Sequence, residues 1–156
     1  MQAKAMMRAS PVTARDTETV GVVLERMQQA ELRLLPVLDG QDKVAGVVTL
    51  FSIMAHIVPN YIVSGDLDDV PYAPDIGLLR RHYDEILGRP LSEVLDAEPL
   101  LVKPEASLLS VAATLITHGK HDAALVVDED KRLVGIVSAR DVLASLKSLP
   151  DGAPDA

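Results

Sequence analysis

Cysteine and tryptophan are absent from the 156 residues, and phenylalanine occurs once. Without thiols there is no disulfide framework and no thiolate chemistry, an absence that also fits a reducing compartment. Basic charge is scarce as well. With 15 Lys and Arg against 23 Asp and Glu, the net charge is −8 and no basic patch is visible, so nucleic-acid binding is not expected. Long apolar runs are missing too. Residues 44–58 are largely apolar but contain Thr49, Ser52 and His56, and they fall short of the roughly 20 residues of a membrane helix. The opening MQAKAMMRAS lacks the apolar core of a secretory signal, and a cytoplasmic protein with no membrane partner is expected.

Catalytic signatures are also missing. There is no Gly-x-Ser-x-Gly elbow, no Gly-rich phosphate loop with Lys-Ser/Thr and no His-Glu-x-x-His, so no catalytic residue and no enzyme is expected. His118 and His121 stand three apart but straddle a helix end at Gly119, which fits capping or surface histidines better than a metal pair. No metal site and no resident cofactor is expected.

What is present is a core. Hydrophobic residues make up 48% and charged residues 24% of the chain, the balance of a globular protein with one domain or two packed halves. After a brief extended Pro11-Val12-Thr13, Asp16 and Thr17 are candidate caps for a helix whose Val20, Val23, Leu24 and Met27 form one stripe. Residues 34–38 and 44–50 read as a hairpin around the turn signal Asp39-Gly40-Gln41-Asp42. Pro36 lacks an N–H and predicts an edge or bulged strand there. Residues 51–58 read as a short helix ended by Pro59.

Residues 60–90 differ in character, with Tyr61, Tyr72 and Tyr83, prolines at 71 and 74, and the acidic cluster Asp66, Asp68, Asp69. The cluster lacks the glycine turn and closing glutamate of a calcium loop and reads as solvated. Asp75 is a candidate cap for a helix with Ile76, Leu79, Tyr83 and Ile86 on one face, and this segment is expected outside the repeated core. From residue 91 the first pattern returns. A short strand spans 100–102, and a helix spans 107–118 with Leu109, Ala112, Ala113 and Ile116 on its stripe. Strands follow at 123–127 and 133–138, then a closing helix from about 139 to 149. Residues 150–156 form a polar tail expected to be disordered.

The organising stretch is LVGIVSARDVLASLKSL, residues 133–149. A strand ends at Ser138 and turns directly into a helix with Asp141 in its first turn. Two readings of Ser138-x-x-Asp141 stand side by side. It is a capping box, or it is a ligand site in which the helix N-terminus and Ser138 hold a phosphate and Asp141 accepts from ribose hydroxyls.

The architecture occurs twice. An offset of 89 residues superposes Gly46 on Gly135, Asp39 on Asp128, Val37 on Val126, Val48 on Val137, Thr49 on Ser138 and Ala55 on Ala144. Each copy has the order strand, helix, strand, turn, strand, helix, and two such copies bury their open faces by packing together.

In LLPVLDGQDKVAGVVTLFSIM and AALVVDEDKRLVGIVSARDVL the chain resembles a tandem pair of CBS domains, a Bateman module. The resemblance implies an α/β (α+β) fold of two β-α-β-β-α motifs with pseudo-twofold symmetry. The motifs would span 5–58 and 91–149, with a linker at 59–90 carrying a short helix and the tail at 150–156. It further implies a regulatory module that binds AMP, ADP, ATP or S-adenosylmethionine in clefts between the motifs, forms a homodimer and acts on a separate, unknown protein.

Carried over by position, Asp141 would hold the ribose, and Ser138 with Arg140 would meet phosphate. Leu101, Val102, His121, Asp122 and Ala123 would enclose adenine between aliphatic side chains. The corresponding first-motif residues are Thr13, Arg33, Leu34, Thr49, Phe51 and Ser52. There Ser52 replaces the ribose-binding Asp and cannot accept two charge-assisted bonds, and Phe51 would fill part of the site, so this cleft is the weaker. The alternative to a sensor is a structural dimerisation module with vestigial, ligand-free clefts. Surplus apolar residues on the 107–118 helix (Leu108, Val111 and Leu115 beside Leu109, Ala112 and Ile116) support the dimer in either case.

Overall fold

The computed structural model describes residues 1–65 and 76–151. The acidic cluster at 66–69, the prolines at 71 and 74, the cap at Asp75 and most of the expected tail lie outside the described residues. The chain folds as a mixed α/β protein with two separate sheets, each in its own compact unit.

One unit comprises Thr13–Gly40 and the described part of Ala45–Ala97. Its sheet has the order β2-β3-β4, from β2 (Ala14–Arg15), β3 (Leu34–Leu38) and β4 (Val44–Thr49). Helix α2 (Val20–Gln29) buries Val20, Val23, Leu24 and Met27, the stripe expected from their spacing. Its cap is Thr19, not Asp16 or Thr17, and Thr19 makes no side-chain cap bond. The first helical N–H, that of Val20, is taken by the Arg89 carbonyl at 2.9 Å.

β3 is central, so of the two alternatives drawn from Pro36, an edge or a bulged strand, the edge is overturned. The fold accommodates the missing N–H because β2 is two residues long and pairs only with Val37 and Leu38, beyond the proline. Helix α3 spans Leu50–Met54, shorter than expected. His56 and Ile57 then bond back only three residues, to Ile53 and Met54, and Pro59 caps a further turn, α4 (Asn60–Val63). Helix α5 (Ile76–Leu87) packs on α2, and its Ile86 joins the core with Leu91 and Val94. This part of the 60–90 segment is therefore core, although Ile76, expected on the buried face, is exposed. Gly21 permits the approach, since a Cβ there would lie 3.2 Å from the Leu87 carbonyl oxygen.

The other unit comprises Met1–Val12, Gln41–Val44 and the described part of Glu98–Ala156. Helix α1 (Ala3–Met6) leads into β1 (Arg8–Ala9), and the sheet order is β1-β7-β6-β5, from β5 (Leu101–Val102), β6 (Ala123–Val127) and β7 (Leu133–Ser138). The core joins Ala3 and Met6 to Leu100, Val102, Val111, Leu115, Ala124, Val126, Val137 and Val142. Helix α6 (Leu108–His118), capped by the Ser107 side chain, buries Val111 and Leu115 with Leu108 and Ala112 against this core. The stripe of Leu109 and Ile116 faces outward instead. Both hairpins place a left-handed residue late in the turn, Asp42 and Lys131, rather than at Gly40.

Candidate functional site

Helix α7 (Ala139–Ser148) begins where β7 ends, and the β6–β7 register places Ala123 opposite Ser138. The Ala139 N–H donates to the Asp122 carbonyl at 2.9 Å, which fixes the strand-to-helix corner. Asp122, Ala123, Ser138, Arg140 and Asp141 therefore converge on one end of the hairpin. Leu101 and Val102 lie further along the sheet, opposite Leu125 and Val126 on the parallel strand. Val102 and Ala123 are buried, Leu101 is 40% exposed, His121 is half-buried, and Asp122 and Arg140 are exposed.

Ser138 and Asp141 form a reciprocal capping box. The Ser138 N–H and hydroxyl donate to Asp141 Oδ2 at 2.8 and 2.7 Å, and the Asp141 N–H donates to Ser138 Oγ at 3.3 Å. The capping reading of the motif is thus realised. It has two chemical consequences. The single hydroxyl proton of Ser138 is committed to Asp141, so Ser138 offers a phosphate no proton while the box is closed. The bonds all fall on Oδ2, leaving Asp141 Oδ1 without a protein donor among the described residues, on a side chain 18% exposed. With the Ala139 and Asp141 amides already bonded, the Arg140 amide is the one of the first three in the helix left to an anion.

Arg8, which is not among the residues expected at the site, reaches this corner. Its Nε lies 3.6 Å from Asp141 Oδ2. A cavity of about 280 Å³ opens beside β5, lined by Glu98, Pro99, Leu100, Leu101, Thr114, His118 and Lys120. Of the expected adenine-enclosing residues it contains only Leu101. The parallel β5–β6 register explains the shift: Leu101 stands opposite Leu125, so residues 98–100 stand level with the start of β6.

The first-motif positions repeat the backbone and change the chemistry. Thr49 is buried and caps α3, and the Leu50 N–H donates to the Arg33 carbonyl as Ala139 does to Asp122. Ser52 Oγ accepts from the Thr49 N–H and donates to the Thr49 carbonyl, both at 2.9 Å, so its hydroxyl is consumed by the cap. Thr13 is half-buried with its carbonyl taken by Arg26, and Leu34 opens β3 half-buried. Phe51 is 78% exposed.

A family model described as CBS domain matches residues 3–59 and 91–148. The chain is 25% identical over 140 residues to an uncharacterised protein, MJ1225, of Methanocaldococcus jannaschii, covering 86% of this chain and 45% of that protein. It thus spans about half the length of this curated relative. Among solved structures it is similar to a CBS domain-containing protein of unknown function from Kribbella flavida (TM-score 0.69, 20% identity, 96% of this chain and 100% of the other). CBSX2 in complex with AMP gives a TM-score of 0.69 at 22% identity over 94% and 96% of the two chains. The MJ1225 structure, proposed as an archaeal homologue of γ-AMPK, gives 0.75 at 19% identity over 93% and 47%.

Proposed function

The chain belongs to the CBS-domain family, and from that premise we propose that it is a regulatory module that binds an adenosine-containing ligand through its second motif. Pairs of CBS domains are commonly modules of this kind, and proteins built only from them are typically regulatory rather than catalytic. The observation that carries the reading is the half-used carboxylate of Asp141. The fold needs Oδ2 for the cap, and Oδ1 remains an acceptor beside a helix N-terminus. Ribose hydroxyls are the donors that such an acceptor suits. The AMP complex of a protein with the same fold supports the ligand class.

The output lies in a separate protein, reached through ligand-dependent packing of a dimer in the cytoplasm. A ligand acts as a switch only through different affinities for two packing states. Among the described residues no helix is long and apolar enough to cross a membrane.

A second reading has its own observation. The closed capping box occupies the Ser138 hydroxyl and Asp141 Oδ2 without any ligand, as in a structural dimerisation module. A melting screen of the full chain against AMP, ADP, ATP and S-adenosylmethionine separates the two. A ligand at 100 times its dissociation constant adds about 2.7 kcal/mol of stability. No shift with any of the four leaves the structural reading standing and removes the sensor.

A further inference from the structure

Arg8 belongs to neither copy of the strand-turn-strand-helix motif, yet the fold delivers it to the candidate site. β1 pairs antiparallel with β7, Arg8 opposite Ile136 and Ala9 opposite Gly135. From Ile136 the strand runs two residues, roughly 7 Å, to Ser138 and the start of α7. The guanidinium spans that gap and ends 3.6 Å from the Asp141 carboxylate. That distance is an ion pair and not a hydrogen bond, and with the Arg8 side chain 57% exposed the contact contributes little to the fold. A cation held loosely beside the half-used carboxylate of Asp141 calls for a use.

We propose that Arg8 reads a phosphate on the ligand, so that the second-motif site selects phosphorylated adenosine over adenosine and over the cationic S-adenosylmethionine. The inference rests on the adenosine-ligand reading above and deepens it. The electrostatic argument is direct. Asp141 and the exposed Asp122 repel an anion brought to this corner, and the N-terminus of α7 with the exposed Arg140 offsets only part of that repulsion. The Arg8 guanidinium, 57% exposed and not hydrogen-bonded to the carboxylate, supplies further positive charge and matches a phosphate bidentately.

The internal repeat supplies an independent comparison. In the first motif the bridge corresponding to Arg8–Ile136 is Asp96–Val47, since Val47 precedes Ile136 by the same 89 residues that separate Gly46 from Gly135. The position of Arg8 is thus held by Asp96, and the position of Asp141 by Ser52. Cation and carboxylate occur together in one copy and are both replaced in the other. An acid at that position disfavours a phosphate.

Calorimetric titration of the full chain with AMP, adenosine and S-adenosylmethionine tests this, on the parent, Arg8→Gln and Arg8→Lys. The parent should bind AMP about tenfold or more tighter than adenosine, the factor carried by one charge-assisted contact. Arg8→Gln should bring the AMP-to-adenosine ratio close to one with adenosine affinity unchanged, and Arg8→Lys should retain part of it. In the parent, added salt should erode the ratio, a measurement that needs no variant. A ratio unchanged in Arg8→Gln, or a parent that prefers S-adenosylmethionine, overturns the role of Arg8 and leaves the adenosine reading intact. Binding of none of the three overturns both.

Discussion

Gly135 and Met7 meet so closely that a Cβ on the glycine would sit 2.6 Å from the Met7 Sδ, and 2.9 Å from the Arg8 carbonyl oxygen. Gly46, its counterpart in the repeat, would drive a Cβ into the Asp96 carbonyl oxygen. In each copy the glycine is where the opening segment of the other motif lies along the sheet edge. This exchange is why the compact units group Met1–Val12 with the second motif and residues 91–97 with the first.

Gly135→Ala should therefore cost about 1–3 kcal/mol of stability, the range for overpacking, with Met7 able to absorb part of the clash. Gly46→Ala should cost more. Its obstacle is backbone, held by reciprocal bonds between Val47 and Asp96 at 3.0 and 2.8 Å. Denaturant midpoints of the two variants check the order. Equal stability to the parent in both contradicts the edge packing.

A second prediction concerns acid. Arg26 donates to both carboxylate oxygens of Glu18, and through Nη1 also to the Thr13 carbonyl at 2.9 Å, tying α2 to the start of β2. The Arg26 hydrogen bond, aided by the Arg15 N–H and opposed by burial, holds the Glu18 carboxyl below its ordinary range. A carboxylate with a lowered folded pKa contributes stability above its unfolded value and loses it as pH falls through the folded one. Glu18→Gln should thus cost about 1 kcal/mol near neutrality, with the deficit closing below about pH 4. Urea titrations at several pH values follow the gap. A deficit that persists unchanged in strong acid assigns the cost to packing instead.

Much of this fold was legible in the sequence, and the errors have physical sources. Residues 123–127 and 133–138 were read without shift because unbroken apolar runs bounded by a polar turn and a Ser cap leave little choice. On α6 the helix lies where expected but buries a different face, because it carries two apolar stripes. Leu108, Val111 and Leu115 have the same spacing as Leu109, Ala112 and Ile116, and only the sheet decides which is buried. At the site, Ser138 and Asp141 are legible because they stand three residues apart in one motif. Arg8 is not, because its partner comes from the opposite end of the sequence and its own neighbours form no motif.

The outward stripe on α6 gives a third prediction. Leu109 and Ile116 are 76% and 81% exposed, and Leu143 and Leu146 are exposed on α7, which packs against α6. A second copy of the chain is the proposed cover for this face. Leu109→Glu with Ile116→Glu should shift sedimentation from a dimer to the 16.7 kDa monomer without lowering the helix content. A parent that already sediments as a monomer at micromolar concentration removes the dimer from the proposal.

The last prediction is asymmetry between the motifs, and the caps make it separable from stability. Asp141→Ala removes the acceptor of the Ser138 N–H and should cost about 1 kcal/mol as a lost cap, whatever the ligand does. Asp141→Asn keeps one carbonyl oxygen for that N–H and should melt nearer the parent, but it loses the charge that ribose hydroxyls would meet. If the carboxylate binds ligand, both variants should weaken AMP roughly 10- to 150-fold, one charge-assisted bond of about 1.5–3 kcal/mol. Ser52→Ala breaks the corresponding cap at α3, where the Ser52 hydroxyl bonds only the Thr49 backbone, and should lower stability while leaving AMP affinity within about twofold. Melting curves and titrations on the three variants form the test. Asp141→Asn binding AMP as the parent does would reduce the motif to a helix cap and nothing more.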